Sequence, residues 1–158
     1  MTTIAVCRRT GRMFADSKAT DGGGLAFKTP KIVETVDGLL GTAGDLKATE
    51  VLTDWLKTHG EDWAEMPTFE EGDEVEGLSL TAEGILFYAK CVFPVTVDED
   101  YFAVGTGADM VMAVLSYQRM KNLPYSMLEA MQVACDVDTN SGLPIQVAEL
   151  KKKNRKKK

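Results

Sequence analysis

A layered α+β domain, with helices packed outside a pair of antiparallel sheets, is predicted by three features of this chain. The first forty residues favour strands and close in hairpins, and the apolar period turns helical at Asp45. Beyond that point strands and helices come in separate groups, not in the βαβ alternation of a parallel sheet.

Each element has its own signal. Thr3 to Arg9 alternates as a strand, Thr10-Gly11 is a turn, and Arg12 to Ser17 returns as the partner strand. Asp21-Gly22-Gly23-Gly24 reads as a loop. It is no phosphate-binding loop, because no Gly-Lys-Ser/Thr and no helix follow. Lys31 to Val36 is β-branched, and Asp37-Gly38 turns it into Leu39-Leu40-Gly41, a second hairpin. Leu46, Val51, Leu52, Trp55, Leu56 and His59 then mark one face of an amphipathic helix. His59, the sole histidine, stands at its end, where it suits the negative pole of the helix dipole better than catalysis. Glu61 to Glu76 holds eight acidic residues and reads as a solvated loop, with a weak cation site as the outside reading. Leu78 to Leu80, Ile85 to Val92 and Phe102 to Val104 are strands, with Glu83-Gly84 as the turn between the first two. Gly105-Thr106-Gly107 opens a helix through Met120, and Leu123-Pro124 breaks it. Ser126 and Glu129 form a capping box for a third helix through Ala134. Asp138 to Gly142 ends that helix, and Ile145 to Val147 is a last strand.

At 158 residues, 44% apolar and 27% charged, the chain suits one domain over 1–150. No apolar run approaches the roughly 20 residues of a membrane span, and Arg8 and Arg9 interrupt any signal peptide. Cys7, Cys91 and Cys135 lack metal-ligand spacing and read as buried reduced thiols of a cytoplasmic protein. The tail 151–158 holds seven of the 18 basic residues and should be disordered. The remaining 150 residues carry 11 basic against 24 acidic groups, a net of −13, which argues against a general nucleic-acid role.

The start of the chain carries the chemistry. Met1 precedes a small residue, a favourable context for removal of the initiator. Removal leaves Thr2 with a hydroxyl and an α-amine on one residue, a nucleophile beside its own base, since a free α-amine titrates at about 7.7–8.0.

Four segments then fall into one order: Thr2-Thr3-Ile4, Ala15-Asp16-Ser17-Lys18-Ala19-Thr20, Lys31-Ile32, and Gly41-Thr42-Ala43-Gly44-Asp45. The chain resembles the proteasome β-type N-terminal-nucleophile peptidases, the bacterial HslV type above all. Ala103 to Gly107 is similar to that family's glycine-rich helix entry, and Asp138-Thr139-Asn140-Ser141-Gly142 to its Asp-x-x-Ser-Gly. The resemblance covers residues 2 to about 150. It implies a four-layer αββα sandwich, here with a shortened helical layer. It also implies Thr2 as the attacking group, with Lys31 as a cation beside it and Asp16 holding that lysine. Gly44 would be the oxyanion donor, and Asp138 and Ser141 would support the terminal amine. No cofactor is needed for such chemistry. A structural monovalent or divalent cation on the carbonyls of Cys135, Asp138 and Ser141 is a further implication. A homo-oligomeric ring, a separate unfolding ATPase and unfolded polypeptide as substrate are the implied partners.

The chain also departs from the family. The span between the first helix and Leu78 is short, and Ala108 stands where a serine is common after Gly-x-Gly. Two other readings stay open: a catalytically silent ring subunit of the same fold, and a hydrolase of small amides.

Overall fold

The computed structural model describes residues 2–20, 25–59, 67–89 and 94–151. Met1, the Asp21–Gly24 loop, Cys91, residues 60–66 of the acidic stretch and the tail beyond Lys151 lie outside the described residues.

Eleven strands and three helices run through the described residues, and every strand pairing is antiparallel. One sheet has four strands in the order β10 (Tyr101–Gly105), β1 (Thr3–Cys7), β2 (Arg12–Ala15), β11 (Gln146–Glu149). The other runs β5 (Ile32–Glu34), β6 (Gly38–Gly44), β7 (Val75–Thr81), β8 (Ile85–Ala89), β9 (Val95–Val97). A small third sheet pairs β3 (Lys18–Thr20) with β4 (Ala26–Lys28). The expected strands are therefore present. β3, β4 and β9 are additions, each three residues long.

β1 is apolar or small at every position because both of its faces are covered. Ile4 and Val6 join Met13, Leu39, Leu78, Leu80 and Ile85 in the core between the two large sheets. Ala5, on the opposite face, meets Phe14, Ala103 and the helices α2 (Ala108–Met120) and α3 (Met127–Val137) through Val111, Leu115, Ala130, Met131 and Ala134. A third core lies under α1 (Leu46–His59). There Ala48, Leu52, Trp55 and Leu56 follow the helical period and pack on Leu40, Val75 and Tyr88. Leu46 and Val51, expected on that face, are exposed instead. Between α1 and β7 the described residues 67–74 hold no helix.

Ser126 caps α3 by accepting the Glu129 amide. The other half of the expected capping box is replaced, because Gln118 accepts the Ser126 N–H and donates to the Glu129 carboxylate. Among the described residues no helix is long and apolar enough to cross a membrane.

Candidate active site

The start of β1, the end of β2, the approach to β5, the end of β6 and the turn after α3 meet at one end of the two large sheets. Thr2 precedes β1 and is buried. Its carbonyl accepts the Thr106 N–H at 3.0 Å, which carries the β1–β10 ladder one residue further. Side chains alternate along a strand, so Thr2 faces the inter-sheet side with Ile4 and Val6. Gly105 makes that approach possible: it has φ +89°, and a Cβ there would sit 1.8 Å from the Thr2 carbonyl oxygen.

Asp16 follows β2 and is fully buried, yet both carboxylate oxygens are used. One accepts the Thr3 amide at 2.9 Å and the Lys31 ammonium at 2.7 Å. The other accepts the amides of Lys18 at 2.9 Å and Gly142 at 3.0 Å. The Lys31 side chain is 5% exposed. Its ammonium also donates to the Lys18 carbonyl. Burial is the largest influence on Lys31 and holds its pKa below the ordinary lysine value, while the hydrogen bond and charge of Asp16 pull the other way. A cation is thus fixed on the same carboxylate that fixes the backbone one residue from Thr2.

Asp138 and Ser141 are both buried and bonded to each other. The Ser141 hydroxyl donates to Asp138 at 2.7 Å, as does the Thr106 hydroxyl at 2.6 Å. Ser141 and Thr3 share a hydrogen bond of 2.7 Å between their hydroxyls. Each hydroxyl has one proton, and that of Ser141 goes to Asp138, so Thr3 donates in this pair. Gly107 N–H in turn donates to the Thr3 hydroxyl at 2.9 Å. Burial is the largest single influence on Asp138 and raises its pKa. Hydrogen bonds from Thr106, Ser141 and Asn140 together outweigh it and leave the carboxyl below its ordinary value. The contacts of this pair therefore run to Thr3 and Thr106, and through them to the strand that carries Thr2.

Gly44 ends β6 with φ +125°, and a Cβ there would lie 2.0 Å from the Glu74 carbonyl oxygen. Its amide direction follows from the ladder. Asp45 N–H bonds the Glu74 carbonyl, so the next residue back, paired with Val75, turns its amide away from β7. That is the β5 side, where the pairing ends at Ile32 with Gly41. The Gly44 N–H is directed past the end of β5, beside the approach of Lys31.

Three contributors escaped the sequence reading. Thr106 supplies a hydroxyl to Asp138, so the residue inside Gly-Thr-Gly does what was expected of the position after it, where Ala108 merely starts α2. Gln146 donates to the carbonyls of Asp16 and Thr29 and accepts the Lys31 amide, tying β11 to the approach of β5. Lys18 sends its ammonium to the Thr139 carbonyl. Lys18 lies inside the Ala15–Thr20 segment, but nothing in the sequence marks its role or that of Gln146, because both act on backbone groups that only the fold brings close. Cys135 and Cys7 are half-buried, not fully buried as the sequence suggested. The Cys135 thiol is pushed up to about 11 by burial first and by Asp16 and Asp136 next, so it stays protonated at neutral pH and is a poor nucleophile.

No family model and no curated protein matches this sequence. Solved structures do. The BPH of Thiobacillus denitrificans in complex with epoxomicin superposes with a TM-score of 0.68 at 19% identity, covering 96% of this chain and 100% of that one. A second structure of the Thiobacillus denitrificans BPH gives 0.69 at 19% identity, over 95% and 99%. The HslV of Trypanosoma brucei gives 0.65 at 20% identity, over 94% and 99%. At such identities the likeness is one of architecture, and it spans nearly the whole molecule: this chain has the fold of the HslV-type, proteasome-like peptidases.

Proposed function

We propose that the chain is a threonine-type endopeptidase, with Met1 removed and Thr2 as the nucleophile. The observation that carries this reading is the Asp16 carboxylate, which holds both the Lys31 ammonium and the Thr3 amide. Thr2 Oγ attacks the carbonyl carbon of a peptide bond, and its proton passes to the Thr2 α-amine, directly or through one water. The Lys31 charge lowers the cost of the alkoxide and keeps the nearby amine unprotonated at neutral pH. The oxyanion takes the Gly44 N–H. Collapse breaks the C–N bond, the protonated amine hands its proton to the leaving amine, and water then hydrolyses the ester on Thr2 with the same amine as base. Asp138, Ser141 and Thr106 are positioning residues in this scheme, acting through Thr3.

The three apolar cores support a four-layer αββα reading, with α1 on one outer face and α2 with α3 on the other. Residues 1–150 form one peptidase domain, and 151–158 form a basic tail. Rings of such subunits, fed unfolded polypeptide by a separate ATPase in the cytoplasm, complete the proposal; the Trypanosoma HslV fold supports it. No cofactor takes part. A structural monovalent or divalent cation on the carbonyls of Cys135, Asp138 and Ser141 stays part of the proposal, since the Asp138 carbonyl accepts the Ser141 amide and has a second lone pair for it.

The deciding experiment is intact mass of the assembled protein before and after an epoxyketone, the class to which epoxomicin in the BPH structure belongs. Loss of Met1 and a single adduct, absent in Thr2→Ala, is the expected result. A retained Met1, or an exposed Thr2 that takes no adduct, would give the chain to the silent ring subunit.

A further inference from the structure

A second site lies at the opposite end of β1 from Thr2. The β1–β2 turn places Arg8, Arg9 and Arg12 within five residues, a dense basic cluster in a body of net charge −13. Two of the three are neutralised locally: Arg8 pairs with Asp100 at 3.4 Å and Arg12 with Glu149 at 3.2 Å. Arg9 has no carboxylate within ion-pair distance among the described residues. Its guanidinium instead lies 5.3 Å from the centre of the Tyr125 ring, a stacking that fixes the cation without cancelling its charge. Tyr125 is itself propped against Tyr101, with ring centres 5.5 Å apart.

That cation stands at the mouth of a cavity of about 340 Å³. Phe14, Leu115 and Met127 form its floor, and Leu128 and Val147, both roughly half exposed, form its rim. The wall is mostly apolar, and the two other charged groups that line it are already paired, Asp100 with Arg8 and Arg12 with Glu149, so the uncompensated charge at the entrance is the positive one of Arg9. A neutral apolar ligand leaves Arg9 unanswered, and an amine is repelled by it. The volume sits at the small end of ligand pockets, room for a compact molecule.

We propose that this cavity binds a small monocarboxylate with an apolar aryl or alkyl body, its carboxylate on Arg9 and its body over Phe14, Leu115 and Met127. The site stands apart from the Thr2 chemistry, and the proposal holds whether or not the chain cleaves peptides.

Isothermal titration of the full chain with octanoate and 3-phenylpropanoate, against octanamide and octylamine, tests it. The carboxylates should bind at least tenfold more tightly than the matched amide, and the amine not at all. Arg9→Gln should abolish that preference while leaving the amide unchanged, and Val147→Trp, on the exposed rim, should block every ligand without changing the far-ultraviolet circular dichroism. Equal binding of acid and amide, an Arg9→Gln protein that keeps the preference, or no binding at millimolar ligand would each overturn the proposal.

Discussion

Asp16 is a charge with no exposed surface, and a buried carboxylate is tolerable only when its oxygens are filled by donors. Its four donors are two strand amides, a turn amide and an ammonium, so replacing it disturbs four segments at once. Asp16→Asn should lower the unfolding free energy by about 3–5 kcal/mol, the usual cost of stranding one partner of a buried pair, read from urea midpoints. Lys31 adds a pH signature. Its pKa in the fold lies below the ordinary value, so between the two the folded chain binds fewer protons than the unfolded one. Its contribution to stability therefore rises with pH through that window, and Lys31→Met should remove the rise. In the proposed chemistry, adduct formation should climb as the Thr2 amine deprotonates, at a pH below the ~8 of a free α-amine because the Lys31 charge is close, and fall as Lys31 loses its charge, earlier than an ordinary lysine would. Asp16 and Lys31 were legible because motif order marks them. Lys18 and Gln146 were not, since a lysine on a carbonyl and a glutamine between strands leave no pattern in one sequence.

Elements show the same division. The long strands and the three helices could be read from period and turn residues, because each buries a continuous apolar face. β3, β4 and β9 could not: three residues are too few to establish a period, and most of their positions are exposed or half-buried. β11 is also short and half-exposed, yet it carries Gln146 into the site. Gln146→Leu would leave the Lys31 amide and the Thr29 and Asp16 carbonyls without their side-chain partner, at about 1–3 kcal/mol for each group that water cannot reach. A lowered melting temperature together with slower adduct formation is the expected pair of changes. The turn after α3 behaves differently with pH. Asp138 titrates below its ordinary value, so its stabilisation is complete above that value and is lost as pH falls through the folded pKa. Asp138→Asn should be less stable than the parent at pH 7, and the gap should close in acid when the two are compared by urea denaturation.

At the scale of the whole molecule, the remaining question is what covers the outer surface of α2 and α3. Tyr117, Met120 and Leu123, at and just beyond the end of α2, are exposed by 54%, 72% and 48%. Apolar residues gathered at one place on a surface mark a contact more often than scattered ones do. If the proposed ring exists, this region is a natural seam, and charge placed there should break the particle without touching the two-sheet core. Light scattering should find the parent as a particle of several copies and Met120→Glu with Leu123→Glu as single copies with unchanged far-ultraviolet circular dichroism. A parent protein that is already a single copy and still takes the epoxyketone would remove the ring from the proposal while leaving Thr2 its nucleophile. The reading would then move to a free-standing hydrolase of small amides.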